Sequence, residues 1–406
     1  MTLSEELQWR GFYNQTTFES SHELDEGSYS LYFGTDPSGD SLHVGHLAGL
    51  MMVRRFLDHG HKVVLLVGGG TGIIGDPGGR DDERNLLSLE QIAHNKQALA
   101  GQVSQLFSGK EFILVDNYDW LKDVHLLDFL RDVGKHFSMS QLVQRDYIAT
   151  RIGKDGTGIS YAEFSYTLLQ GYDYWQLYRD HGVNMQIGGS DQWGNILSGV
   201  EFIRKKEGVR VDGMTAPLII NKSTGKKFGK SEGGAVWLDS TKTSVYQFFQ
   251  FWLNTDDESA VDYLKIFTLL DKEAIDGLEH EIRDNPGARV AQRTLAREVT
   301  TLVHGADRTA SVERVTSVLF GNDTIDQLTA EDIEVLAKEI PVAVVGTTVI
   351  DALVAGEAAG SNGEARRLID AGAVSVNGVK QTEDSIVSSL SLIKKGKNHF
   401  ILVREH

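Results

Sequence analysis

Two histidines and a glycine, His43-Val44-Gly45-His46, sit where the flanking residues predict a strand-to-helix junction. Tyr29 to Phe33 is a short aromatic, β-type run, and beyond Leu47 the residues Leu50, Met51, Val53 and Phe56 recur at helical spacing. A helix start offers unpaired N–H groups and the positive end of its dipole to an anion. Gly45 admits a ligand close to the main chain, and His43 and His46 are then placed to donate to phosphate oxygens without a metal. A metal pair is one competing reading, but no third ligand follows at suitable spacing. Ordinary half-buried histidines are the other. Further along, Lys226-Lys227-Phe228-Gly229-Lys230-Ser231 groups flexible point charges suited to a leaving pyrophosphate, with glycines at 225, 229, 233 and 234 to let the segment move. A solvated basic turn is the plain alternative. A phosphate-cradling loop ending in Gly-Lys-Ser is a decoy, because it requires glycine at position 224, where the chain has Thr.

Glycine-rich turns and a polar stripe complete the chemistry. Gly70-x-Gly72-x-x-Gly75 follows a predicted strand and matches a dinucleotide fingerprint, yet Asp76-Pro77-Gly78-Gly79 interrupts where a helix must continue. That interruption argues against a dehydrogenase. Tyr166, Gln170 and Asp173 stand at i, i+4 and i+7, one side of a helix, while Phe164, Leu168, Leu169 and Tyr172 cover other directions. Either the stripe is solvated, or it lines a pocket for an amphoteric aromatic ligand. In the second case Tyr166 and Gln170 take an amino group, and Asp173, with Tyr32, meets a phenol hydroxyl. Gln186-Ile187-Gly188-Gly189-Ser190-Asp191-Gln192 is a further turn after a predicted strand, open to close contact or simply an Asx-capped bend.

The first segment, Pro37 to His46, resembles the HIGH signature of class I aminoacyl-tRNA synthetases in its tyrosyl form, and Lys226 to Ser231 resembles the KMSKS loop. The order and spacing of segments from about 29 to 255 resemble bacterial-type tyrosyl enzymes throughout. The resemblance implies an ATP site formed by Gly34, Asp36, Ser38, His43, Gly45, His46, Gly189, Asp191 and Lys230. It implies a tyrosine site of Tyr32, Asp76, Tyr166, Gln170, Asp173, Gln186 and Gln192, with Asp76 on the ammonium and Gln186 and Gln192 near the carboxylate. His43, His46, Lys227, Lys230 and Ser231 would surround the developing charge, with Arg80 and Arg84 opposite; lysine is more usual at 80. Mg²⁺ is expected to arrive with ATP, without a dedicated protein metal site. The couple Asp173 and Tyr32 selects tyrosine, because a phenylalanine would leave both desolvated without a partner. Three further positions depart from the pattern: Phe33 stands where a smaller residue is frequent beside the ribose, Ser38 replaces Thr, and Gly49 stands where Thr is common.

Elements must position these groups. Lys62-Val63-Val64-Leu65-Leu66-Val67 reads as a buried strand and Glu111 to Val115 as another, with a capping box at Ser88 and Gln91 starting a helix towards Phe107. Strands alternating with helices predict an α/β fold: a Rossmann-like parallel-sheet catalytic domain at 1–235. An all-helical domain at 236–325 follows, since no strand pattern is found from Ser244 to His304. A small C-terminal α+β module at 342–406 begins after Pro341. In it Ser361 and Glu364 propose a capping box, Gly372 a helix stop, and Asn377-Gly378 a hairpin turn. This module resembles the αL RNA-binding type, which implies that Arg366, Arg367, Lys380, Lys394 and Lys395 face RNA; a solvated face is the alternative.

Composition sets the limits. The 406 residues carry a formal net charge of −17, which opposes non-specific nucleic-acid binding without forbidding a local basic surface. No cysteine is present, which removes disulfides and thiolate chemistry and suits a cytoplasmic setting. Neither a signal-peptide pattern nor a membrane-length apolar run is seen. The family usually pairs through an insertion between the sheet halves, here about 120–185, so a homodimer is expected, with Trp120, Leu127, Phe129 and Phe137 as interface or core. A nucleotidyltransferase sharing the His-x-Gly-His loop and a catalytically silent RNA-binding relative are the rival classes. The partners expected are L-tyrosine, ATP and tRNA(Tyr), with no membrane.

Overall fold

The structure, a computed structural model, describes residues 1–76, 87–153, 156–222, 225, 228, 230–231, 234–321 and 323–405, without the side chains of 141, 146, 147, 230 and 231. The chain forms two compact units. One comprises Met1–Thr243 with Phe251–Leu295, the other Ser244–Gln250 with Ala296–His406.

The first unit is built on five parallel strands: β1 (Ser30–Thr35), β2 (Lys62–Val67), β3 (Ile113–Asp116), β4 (Met185–Gly189) and β5 (Asp212–Ala216), in the order β3-β2-β1-β4-β5. The chain winds outward from β1 through β2 to β3, then returns to the other side of β1 for β4 and β5. The crossovers therefore diverge between β1 and β4, and a crevice opens outside the carboxyl ends of those two strands. β2 buries five of its six residues, as its unbroken apolar run predicts. β3 begins two residues later than the sequence suggests and is not a buried strand: Ile113 is 45% and Leu114 40% exposed, because β3 is the sheet edge.

Helix Val44–Asp58 buries Leu47, Leu50, Met51, Val53 and Phe56 against the sheet, the face its spacing marks out. Helix Leu89–Leu106 opens on Ser88 and Gln91, whose side chain and backbone bonds form both halves of the capping box. Helix Tyr161–His181 opens on a second box, Ser160 with Glu163, and ends at Gly182 with φ of 66°. Between β3 and that helix, Trp120, Phe129 and Phe137 pack onto the core around Tyr174, Trp175 and Phe202, whereas Leu127 is 78% exposed. Only Leu127 of these four is a surface residue.

From Ser244 to His304 the described residues contain helices and no strand: Val245–Leu253, Asp257–Phe267, Lys272–Asp284 and Val290–His304. The second unit ends in a five-stranded sheet, in the order Val379–Lys380, Val374–Val376, Ser391–Lys395, His399–Arg404 and Val342–Val344. Asn377 and Gly378 take φ of 47° and 82°, the paired left-handed conformation of a tight hairpin turn. The capping box expected at Ser361 is displaced by one residue. Ser361 caps the Glu364 N–H, but the Glu364 carboxylate accepts from Gly360 rather than from Ser361.

Candidate active site

A cavity of about 380 Å³ occupies the crevice at the ends of β1 and β4. Fifteen of the residues expected for the ATP and tyrosine sites line it: Tyr32, Gly34, Asp36, Ser38, His43, Gly45, His46, Asp76, Tyr166, Gln170, Asp173, Gln186, Gly189, Asp191 and Gln192. Arg80, Arg84 and Lys227 lie outside the described residues, and Lys230 and Ser231 are described only as a two-residue ladder with Gly234–Ala235. Arg366, Arg367 and Lys380 are exposed in the second unit. There Lys395 donates to the Ala358 carbonyl at 2.7 Å, and the Lys394 ammonium stands 5.1 Å from the Phe400 ring centre.

One end of the cavity is deeply buried. Tyr32 on β1 stands in register with Gln186 on β4, so both side chains leave the same face of the sheet. The Tyr32 hydroxyl, Gln170 Oε1 and Gln186 Oε1 are buried with no hydrogen-bond partner among the described residues. Unsatisfied buried groups are costly, and three of them lining one cavity mark a ligand that brings its own polar atoms. Asp173, 2% exposed, accepts from Asn117 Nδ2 at 2.9 Å and Trp120 Nε1 at 2.8 Å. Burial pushes its carboxyl up to about 7, with those two bonds restraining the shift.

Asn117 was not singled out from the sequence, yet it organises this end. Its Oδ1 accepts from the Gly70 N–H at 2.7 Å, and its Nδ2 also donates to Thr71 at 2.9 Å. Thr71 in turn donates to Asp36 at 2.7 Å, and Asp36 accepts the Tyr166 hydroxyl at 2.8 Å. Gly69 donates to Asp116. The glycine run that leads into the fingerprint look-alike thus lets Asp116 and Asn117 bond its backbone and lets Asp36 pack closely against Gly68. Asn117 did carry a signal: a polar residue directly after a strand in a parallel sheet lies where such folds gather ligands. Asp76 accepts from Gln192 Nε2 at 2.7 Å. Together Tyr166, the Gln170 oxygen and Asp76 present acceptors, the complement of an ammonium group.

The other end is made by the first signature segment. His43 caps helix Val44–Asp58: its Nδ1 accepts from the Gly45 N–H at 3.0 Å, and His46 Nδ1 accepts from the His43 N–H at 3.2 Å. An Nδ1 that accepts leaves the proton of a neutral imidazole on Nε2. Burial, with His43 alongside, pushes His46 down to about 3, so it stays neutral. Both rings are therefore Nε2–H donors. The bare helix N-terminus expected from the sequence is absent, however. The Val44 N–H goes to the Val236 carbonyl at 3.0 Å, that of Gly45 to the His43 ring, and that of His46 to the His43 carbonyl. Gly45 makes room for the His43 ring, which would lie 2.8 Å from a Cβ there.

The same bonds tie the first signature segment to the stretch that follows the second. Leu42–Val44 lies against Val236–Leu238, immediately after the lysine-bearing segment, with a bridge between His43 and Trp237 and the Leu238 N–H on the Leu42 carbonyl. Phe228, within that segment, is held by the rings of Tyr263, Phe267, Phe251 and Trp252 at 4.7 to 5.6 Å and also lines the cavity.

A family model described as tRNA synthetases class I (W and Y) matches residues 24–321, and one described as the tyrosine–tRNA ligase SYY-like C-terminal domain matches 332–405. The chain belongs to the tyrosine–tRNA ligases of the class I synthetase family. The tyrosine–tRNA ligase of Macrococcus caseolyticus is 46% identical over 99% of both chains, and that of Limosilactobacillus fermentum 45% identical over the whole of both. A C-terminally truncated mitochondrial tyrosyl-tRNA synthetase of Aspergillus nidulans superposes with a TM-score of 0.71 at 30% identity, over 79% of this chain and 94% of that one. A tryptophanyl-tRNA synthetase of Encephalitozoon cuniculi, at 13% identity, a TM-score of 0.56 and 82% and 91% coverage, shares the fold. Among tyrosine–tRNA ligases, then, this chain places its cavity at the sheet's switch point, with acceptors at one end and imidazole donors at the other.

Proposed function

We propose that the cavity activates L-tyrosine with ATP and that the chain then transfers the tyrosyl group to tRNA(Tyr). The observation that carries this reading is the set of orphaned polar atoms beside Asp173. The Tyr32 hydroxyl and the Asp173 carboxylate meet the phenol of tyrosine. Asp76, Tyr166 and Gln170 accept from its ammonium, and Gln186 and Gln192 lie towards its carboxylate. An indole has no hydroxyl for the Tyr32–Asp173 couple, which sets tryptophan aside.

The carboxylate, ionised at neutral pH, attacks the α-phosphate of ATP; the bond to pyrophosphate breaks and tyrosyl-adenylate remains. No general base is needed, so the rate gain rests on alignment and charge stabilisation. His43 and His46 donate Nε2–H groups to phosphate oxygens, and Lys227, Lys230, Ser231, Arg80 and Arg84 serve the leaving pyrophosphate. Gly34, Ser38, Gly45 and Gly189 border the nucleotide, Asp191 takes its ribose, and Asp36 fastens Tyr166. Mg²⁺ held by the phosphates of ATP would supply charge neutralisation there, while His43, His46 and the lysines, as donors or cations, would act on the phosphates rather than on the metal. The tyrosyl group then passes from AMP to the terminal adenosine of the tRNA.

We divide these tasks among 1–235 for catalysis, 236–325 on the anticodon side, and 342–406 for RNA through Arg366, Arg367, Lys380, Lys394 and Lys395. No helix of the described residues is long and apolar enough to cross a membrane, and the reading places the work in the cytoplasm. The exposed edge of β3, with Leu126 and Leu127 at 70% and 78% exposure, supports a homodimer through 120–185. Sedimentation of Leu127→Asp at micromolar concentration tests it: the wild type runs as two chains and the variant shifts towards one. For the reaction itself, tyrosine-dependent ATP–pyrophosphate exchange followed by tRNA charging is decisive. Exchange that depends on tryptophan, or none with any amino acid, overturns the reading.

A further inference from the structure

Between β1 and helix Val44–Asp58, residues 36–42 form neither helix nor strand, yet Asp36 and Ser38 within this loop and His43 just after it line the cavity. No ladder fixes the loop, so its polar backbone groups must be held by other partners. Helix Leu89–Leu106 supplies them. Ile92, Leu99, Val103 and Leu106 make its buried face apolar, and Asn95 and Gln102 interrupt that face two turns apart. Amides on an apolar face are costly unless bonded, and both bond the same loop. Asn95, 8% exposed, donates from Nδ2 to the Pro37 carbonyl at 2.9 Å. Gln102 Oε1 accepts the Leu42 N–H at 2.8 Å, and its Nε2 donates to the Ser41 hydroxyl at 3.0 Å. Ser41 and Leu42 are buried, and Ser41 also accepts the Asp239 N–H at 3.2 Å. His43 is the next residue.

We infer that Asn95 and Gln102 are positioning residues: two amides that fix both ends of the Pro37–Leu42 loop and through it aim His43 at the phosphates of ATP. The inference rests on the proposed reading, which gives His43 that task. Loss of Gln102 frees a buried N–H one residue from the imidazole. The tyrosine end has separate supports, since Asp173 is held by Asn117 and Trp120, and Asp36 by Thr71 and Tyr166. The two amides therefore act on the phosphate end alone.

Gln102→Leu keeps the bulk of the side chain and removes both of its bonds. The expected result in tyrosine-dependent pyrophosphate exchange is a kcat lowered about tenfold, the scale of a displaced catalytic group, with equilibrium affinity for tyrosine unchanged. Gln102→Glu keeps the acceptor for the Leu42 N–H, and the Ser41 hydroxyl can turn to donate to it, so the rate returns to within about threefold of wild type. In a His43→Ala background Gln102→Leu costs almost nothing more, because the group it aims is gone. Asn95→Leu, at the far end of the loop, raises the KM for ATP about threefold without changing tyrosine affinity. That variant reads the same split if Gln102→Leu does not fold. An equal loss of rate in the wild-type and His43→Ala backgrounds overturns the assignment. So does a Gln102→Glu enzyme as slow as Gln102→Leu, or a matching loss of tyrosine affinity in either Gln102→Leu or Asn95→Leu. Absence of tyrosine-dependent exchange in the wild type strikes the proposed function instead, so the two failures are distinguishable.

Discussion

The two ends of the cavity solve recognition in different ways. The end around Asp173 is made of buried and half-buried side chains, each held by another: Asn117 and Trp120 on Asp173, Thr71 and Tyr166 on Asp36, Gln192 on Asp76. Its specificity lies in acceptors left unpaired until a ligand arrives. The end around His43 is made of imidazoles seated on main-chain N–H groups, and the proposed reading brings lysines on flexible stems to it. In that reading its task is charge that changes during the reaction. Rigid, desolvated groups discriminate between similar neutral shapes, while long cations follow a leaving group; substitutions at the two ends should therefore fail in different kinetic constants.

The sharpest break in that contrast comes from Lys230→Ala. Loss of a cation that acts on developing charge should slow activation by about 10²–10³-fold, while tyrosine affinity, measured by equilibrium binding, changes little. Unchanged pyrophosphate exchange in that variant would refute the role. At the opposite end, Tyr32→Phe should leave exchange with saturating tyrosine nearly intact and cut the preference for tyrosine over phenylalanine about tenfold. That corresponds to one hydrogen bond of roughly 1.5 kcal/mol. An undiminished preference places the phenol elsewhere.

Asn117→Ala is expected to weaken tyrosine binding by several fold, the scale of one supporting bond of about 1 kcal/mol. It also removes a donor that favours the ionised Asp173, so the pH midpoint of tyrosine binding should move upward. The smallest effect concerns that pH dependence in the wild type. Asp173 titrates at about 7 when buried. A phenol donor favours the carboxylate, so tyrosine affinity should fall as pH drops through 7. For the free protein the sign reverses. A carboxyl raised above its unfolded value favours the folded state at low pH, and that contribution is lost as pH rises towards and through 7. Thermal melts of wild type against Asp173→Asn between pH 5.5 and about 8 should show the wild type gaining on the variant as pH falls; parallel curves would remove Asp173 as the titrating group.

Legibility followed the range of the interactions. Periodicity located β2 and the Val44–Asp58 helix, and the Ser88 and Gln91 box located the start of the next, because those signals lie within a few residues of what they specify. The apolar run of β3 predicts burial, yet a run of five does not tell whether another strand lies beside it, and β3 is the edge. Local spacing predicts an open helix start at Val44, and Val236, almost two hundred positions away, closes it.

From the order of residues alone came the kinds of group, their motif order, and hence the family: residue type and short spacing are local properties of the chain. Folding settled the partnerships. Asn117 joins Asp173 to the Gly70 turn, Phe33 occupies the place of a side chain at 49, and His43 and His46 become Nε2–H donors because main-chain hydrogens reach their other nitrogens. The Asn117 contacts reach across 47 and 56 positions and depend on which strands lie side by side, and no local pattern encodes that; the histidine bonds are local but form only once the helix start is in place.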